Sequence, residues 1–163
     1  MEIFRLREVA PEVLAASSLA AVTAIRALVP EADVQEAGST AVPGAIGKQD
    51  IDIVVRVNAD QFPSARSVLD ASYQRNPLQP SAPDFQSYTV SLDPDISLQL
   101  TVKDSPFDCF HRFLEALRSD AALLARYNDL KRHWNGRPME DYRKAKAGFI
   151  EDALRKPHST QER

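Results

Sequence analysis

The chain has little cysteine. Cys109 is the one cysteine in 163 residues, so no intramolecular disulfide can form and no cysteine-rich zinc site exists. No partner for a nucleophilic thiol is evident, and Cys109 reads as a buried apolar filler. Strong charge of one sign is also missing. A net charge of −3 gives no overall basic field. Broad nucleic-acid binding is therefore not expected, although a local basic patch stays open. No apolar run approaches the roughly 18 residues that a membrane span needs. The opening MEIFRLREVAPE lacks the charged-then-apolar pattern of a signal peptide. Together these absences predict a reducing, cytoplasmic setting. The remaining composition, 44% hydrophobic and 26% charged, is that of a globular chain and argues against disorder. Its length suits one domain over 1–163, with a polar, frayed end at 156–163.

Periodicity places the elements. Residues 11–29 read as a helix, opened by Pro11, carrying Leu14, Ser18, Ala21, Ile25 and Leu28 at helical spacing, and ended by Pro30. Residues 33–37 are a short strand candidate and 51–57 the strongest strand. Asp60 is the expected cap of a helix over 61–71. The proline-containing stretch 74–84 reads as a loop. Strands 85–92 and 96–102 flank Asp93, Pro94 and Asp95, which makes an antiparallel hairpin. On the second strand Ile96, Leu98, Leu100 and Val102 share one face, and Ser97, Gln99 and Thr101 the other. Ser105-Pro106 predicts a helix start running to about Arg118. Asp120 caps a second helix to about Trp134, and Pro138 opens a third to about Arg155. The expected fold is α+β, a small mixed β-sheet flanked by helices, with a helical C-terminal part packed against it.

The richest stretch is Gly38–Val57, GSTAVPGAIGKQDIDIVVRV. Side chains alternate along a strand, so Asp50, Asp52 and Val54 point one way while Ile51, Ile53, Val55 and Val57 point into a core. Two adjacent carboxylates disfavour joint ionisation and call for a cation. Mg²⁺ suits them, because it takes hard oxygen ligands from one or two carboxylates plus phosphates. The Gly38-Ser39 turn can offer backbone N–H groups and a hydroxyl to a phosphate. The alternative is a turn followed by a strand with two solvent-facing aspartates. Lys48 is either a point charge for a phosphate or a solvated loop lysine. Tyr127 with Lys131, and Tyr142 with Lys146, share i, i+4 spacing on a helix face. Each pair can meet a nucleotide, or can be packing with buried rings and snorkelling ammonium groups. His111 and His133 belong to no metal-ligand spacing and read as exposed or capping residues. Trp134 is expected to pack in a core.

Gly38-Ser39, ten intervening residues and Asp50-Ile51-Asp52-Ile53 together resemble the signature of the nucleotidyltransferase superfamily, typified by DNA polymerase beta. Gly-Ser-Thr-Ala-Val-Pro-Gly at 38–44, followed by Lys48, is similar to the GrpB family within it. Looser similarity continues through Phe113-Leu114, Leu117-Arg118, the two Tyr–Lys pairs and Phe149-Ile150. The resemblance implies a nucleotidyltransferase-like fold, Asp50 and Asp52 as catalytic metal ligands, and Mg²⁺ or Mn²⁺ as cofactor. It also implies a nucleoside triphosphate held by Gly38, Ser39, Thr40 and Lys48, and a nucleotidyl group passed to an acceptor no motif encodes. The acceptor could be a protein or a transfer RNA, as in small toxin-type members. Gln99 stands where the family tends to carry histidine and where polymerase-type enzymes carry a third acid on a comparable strand. Gln99 cannot act as a base. This favours the alternative of a catalytically impaired module that binds a small ligand or a partner protein.

Overall fold

Alternating Ile51, Ile53, Val55 and Val57 give one strand a wholly apolar side, and the fold is laid out from it. The computed structural model describes residues 1–8, 10–48 and 50–155, apart from the Ser39 side chain. In chain order the elements are α1 (Pro11–Leu28), β1 (Asp33–Glu36), β2 (Ile51–Val57), α2 (Phe62–Ser72) and β3 (Gln74–Arg75). Then come β4 (Phe85–Leu92), β5 (Asp95–Val102), α3 (Phe110–Ser119), α4 (Ala121–Trp134) and α5 (Met139–Arg155). The strands form one mixed sheet in the order β1-β2-β5-β4-β3. β2 and β5 run parallel, and the other neighbours are antiparallel. This is the expected α+β class.

The apolar face of β2 and β5, with Tyr88 of β4, packs against Ala21, Val22 and Ile25 of α1 and Phe62, Ala65 and Leu69 of α2. A second core gathers Phe113, Leu114, Leu117, Leu123 and Tyr127 from the C-terminal helices and closes on Val42 of the loop before β2. A third, smaller one joins Phe4 to Met139 and Tyr142. The other face of the sheet is polar. There Arg56 of β2 makes a bidentate pair with Asp108, Nε to Oδ1 at 2.7 Å and Nη2 to Oδ2 at 2.9 Å. Asp108 also accepts the Asp104 N–H at 2.8 Å. This pair ties the approach to α3 onto the sheet.

Several expectations change. α3 begins at Phe110, not after Ser105, because Asp108 is taken by Arg56 and Asp104 holds a left-handed φ of 64°. Asn58, not Asp60, marks the turn into α2: its N–H donates to Gln61 Oε1 at 3.1 Å. The stretch after Tyr73 is not all loop, since Gln74–Arg75 add an edge strand to β4. Asp95 leaves the turn and becomes the first residue of β5, pairing with Leu92 across Asp93-Pro94. Cys109 is half-buried ahead of α3, and burial pushes its thiol up. His111 is neither exposed nor capping, as its Nδ1 stands 3.5 Å from Asp108 Oδ1. No run was expected to cross a bilayer, yet α1 meets that requirement by length and composition. Ser18, Ala21, Val22 and Ile25 give it a buried stripe. The tail at 156–163 lies outside the described residues.

Asp108 is 4% exposed, and breaking a buried pair of this kind costs about 3 kcal/mol. Arg56 and the Asp104 N–H, working against burial, hold its carboxyl below the usual range. Its stabilising contribution is therefore present above the unfolded carboxyl pKa and is lost as pH falls through the lower folded value. Urea denaturation of Asp108→Asn should show that loss at pH 7, with the gap to the native chain closing toward pH 2. An equal gap at both pH values would contradict this role.

Candidate functional site

Asp52 sits where three elements meet. Its carbonyl accepts the Ala37 N–H at 2.8 Å, which fastens the end of β1 beside it. Its Oδ1 accepts the Ser97 hydroxyl of β5 at 2.8 Å. Its Oδ2 faces Gly38, where a Cβ would stand only 2.7 Å away. Glycine is required at 38 because the carboxylate fills the space a side chain would take. Asp52 and Ser97 are register partners in the parallel β2–β5 pair, and Ile51 faces Ile96. The preceding row brings Asp50 toward Asp95. Lys48 Nζ lies between those two acids, 3.3 Å from Asp50 Oδ2 and 3.6 Å from Asp95 Oδ2.

Helices α4 and α5 close the site from the other side. Lys131 is 2% exposed. Its ammonium donates to the Ile46 carbonyl and lies 4.1 Å from the centre of the Tyr127 ring. One turn earlier, Asn128 donates to the Gly44 carbonyl at 2.9 Å and accepts the Ile46 N–H at 3.0 Å. α4 thus holds the loop that delivers Lys48 and Asp50. Phe4 stacks on Tyr142 with ring centres 3.8 Å apart.

Charge explains this convergence. Burial, then Asp50, raise the Asp52 carboxyl above the ordinary range, while Lys146, Ser97 and Lys48 pull it back. Against the effect of burial, Asp50 and Asp95 hold the Lys48 ammonium above the usual lysine value. The oxygens of Tyr127 and Tyr142, with Asp52 and Asp50, raise Lys146. Lys131 moves the opposite way: burial and the neighbouring Lys146 push it down to about 7, opposed by Asp50 and Asp52.

The residues expected at the site therefore divide. Asp50, Asp52, Lys48, Lys131 and Lys146 form one charge-coupled group with Tyr127 and Tyr142, and Gly38 touches it through the Asp52 carboxylate. Lys131 turns its ammonium inward to a carbonyl, so it does not snorkel. Ser39 opens a three-residue 3-10 turn over Ser39–Ala41. The Thr40 hydroxyl is committed to Glu36, which also accepts Ser18. Gln99 lies one row beyond Ser97, opposite Val54 and Ser87, with no described hydrogen bond to either aspartate. Ser97, Asp95, Asn128 and Glu36 were not anticipated. The alternation on β5 carried a signal for Ser97, because it puts Ser97 on the polar face with Gln99. Among the described residues, no group of three or more His, Cys, Asp or Glu side chains is placed to hold a metal ion.

The model of the GrpB protein family matches residues 10–156. The chain belongs to the GrpB family. It is 32% identical over 131 residues to a UPF0157 protein of Vibrio cholerae, covering 80% of this chain and 70% of that protein. Among solved structures it resembles the conserved protein GrpB from Enterococcus faecalis, with a TM-score of 0.67 at 18% identity over 91% of this chain and 96% of that one. It also resembles the Cid1 poly(U) polymerase solved with Mg and 3′-dATP, with a TM-score of 0.50 at 19% identity. That match takes in 78% of the GrpB chain and 42% of the polymerase. The shared feature is the nucleotidyltransferase-like fold.

Two measurements test this geometry. Gly38→Ala should destabilise the chain by about 1–3 kcal/mol through overpacking. Most of that penalty should disappear in an Asp52→Ala background, because the clash partner is gone; additive effects would show that Asp52 is not what excludes a side chain. For Lys131, the folded value near 7 lies below the unfolded value of about 10.4. Between them the unfolded chain binds more protons, so this residue makes stability rise with pH by up to about 1.4 kcal/mol per unit, and adds no slope below pH 7. Lys131→Met should flatten the urea-denaturation profile from pH 7 to 10. An unchanged slope would count against a neutral buried amine.

Proposed function

We propose that this GrpB protein binds a nucleoside triphosphate together with Mg²⁺, or Mn²⁺ in its place, at Asp50 and Asp52, and transfers a nucleotidyl group to an acceptor. The observation that carries this reading is the Asp50–Asp52 pair set against a side-chain-free Gly38, with ammonium groups around it. The donor set fits a divalent ion: two hard carboxylates side by side, with the Asp52 carboxylate packed against Gly38, where no side chain intervenes. When bound, the ion would neutralise phosphate charge and polarise the attacked phosphorus.

The chain's own residues supply the rest. Ser97 holds Asp52 Oδ1, which fixes the orientation of Oδ2. Lys48 and Lys146 supply positive charge for a polyphosphate. Asn128 keeps the Gly44–Ile46 backbone in place, and so positions Lys48. Asp95, rather than Gln99, is the acid that β5 contributes. In the transfer, the oxygen of an acceptor hydroxyl bonds to the α-phosphorus as the bond to pyrophosphate breaks; the hydroxyl proton passes to solvent and pyrophosphate leaves with its charge.

A second reading is favoured by Lys48. Its ammonium already stands between Asp50 and Asp95, as an internal cation would in a module that binds a ligand without catalysis. Calorimetric titration of ATP, GTP, CTP and UTP, with and without Mg²⁺, separates the possibilities. The first reading expects Mg²⁺-dependent binding that weakens at least tenfold in Asp50→Ala/Asp52→Ala and several-fold in Asp95→Asn. No binding at millimolar nucleotide, or binding indifferent to the double substitution, sinks it. Turnover of labelled nucleotide that depends on Asp52 sinks the second.

A further inference from the structure

Two ion pairs at β2 and its approach are built differently. Arg56 and Asp108 meet through hydrogen bonds of 2.7 and 2.9 Å, with the Asp108 side chain 2% exposed. That pair is a permanent fastening. Lys48 stands farther from its acids, 3.3 Å from Asp50 Oδ2 and 3.6 Å from Asp95 Oδ2, and 30% of its side chain is open to solvent. Charge-assisted hydrogen bonds close to about 2.7–2.9 Å, so this ammonium is held by charge without being clamped. The backbone beside it has no such freedom. The Gly47 carbonyl accepts the Arg7 N–H, and Asn128 holds the Gly44 carbonyl and the Ile46 N–H. Movement here is therefore a swing of the flexible lysine stem, with the loop left in place.

We propose that Lys48 holds the place of the divalent ion in the free chain, and that the ion enters by displacing its ammonium from Asp50 and Asp95. This displacement rests on the metal site at Asp50 and Asp52 proposed above and adds a control to it. Two cations cannot share these oxygens. Mg²⁺ bonds a carboxylate oxygen at about 2.1 Å, and the ammonium already lies 3.3 Å from Asp50 Oδ2; at such spacing the two repel strongly. Among the described residues, no three His, Cys, Asp or Glu side chains are placed to hold a metal ion. Asp50 and Asp95 are turned to Lys48 instead. A free ion thus meets acids that are already neutralised, and binds weakly. A nucleoside triphosphate changes the balance, because its phosphates bring oxygen ligands for the ion and a new partner for the released ammonium. Ion and nucleotide then favour one another's entry, and by linkage the effect is reciprocal. Lys48 keeps the site closed to a bare divalent ion and opens it to one that arrives with polyphosphate.

The test follows Mn²⁺ binding to the full chain without nucleotide, through the electron paramagnetic resonance of the unbound ion. Lys48→Met keeps an unbranched stem and removes the charge. It should bind Mn²⁺ roughly tenfold more tightly than the native chain, within the usual range of coupling between ligands. Lys48→Arg, which keeps a cation, should bind as weakly as the native chain. Adding Asp50→Ala to Lys48→Met should abolish the gain. Lys48→Gln repeats the measurement if the Lys48→Met chain does not fold. The proposal is overturned if Mn²⁺ binds the native and neutral variant chains alike, or if the gain survives the loss of Asp50. Calorimetry with Mg²⁺ and ATP forms the second arm. There Lys48→Met should weaken nucleotide binding several-fold, opposite in sign to its effect on the bare ion; tightening of both overturns the exchange. If neither chain binds ATP, the nucleotide reading fails while the Mn²⁺ comparison still decides the displacement.

Discussion

Two carboxylates on one side of a strand cannot both remain ionised in a half-buried setting without cations close by. Much of this molecule meets that constraint. Lys48 arrives from the loop before β2 and Lys146 from α5. These elements are far apart in sequence, and their shared charge problem draws the helical part onto the sheet. The apolar contacts of Val42 with Phe113 and Leu117 supply affinity between the two parts. The aspartates add a specific reason for those helices to face that strand.

The lysines do not play equal parts. Lys48 is held charged by two acids and keeps 30% of its side chain exposed. Lys131 is sunk against a tyrosine ring and a carbonyl, where protonation is harder to sustain. One is a half-exposed charge held between two acids, and the other is part of the wall. Glu36 shows the same economy on the opposite flank, gathering the hydroxyls of Ser18 and Thr40 so that α1 and the Gly38–Gly44 loop share one acceptor.

Much of this was legible in the sequence, for local reasons. Alternation gave β2 its bounds, and the polar face of β5 followed from the same period. Asp120 capped α4 as its chemistry suggests, with Oδ1 accepting the Leu123 N–H at 3.0 Å. Failures came where distant partners overruled a local signal. Ser105-Pro106 has the form of a helix start, but Asp108 is claimed by Arg56 from another element. Asp95 looked like turn chemistry until the hairpin closed on two residues and moved it into β5. The Tyr–Lys pairs were visible as pairs, yet the direction of Lys131 is set by the Ile46 carbonyl, 85 residues away.

The segment before α1 carries a practical implication. The family match begins at residue 10. Phe4 lies ahead of it, 1% exposed and stacked on Tyr142. Its N–H and carbonyl bond to Arg137 and Gly136, and Arg7 donates to the Gly47 carbonyl at 3.0 Å. The homology boundary and the folding boundary are therefore different places. Trimming the chain to the matched span would leave the Tyr142 ring uncovered and would unfasten Gly47 from Arg7, one residue from the lysine between the acids.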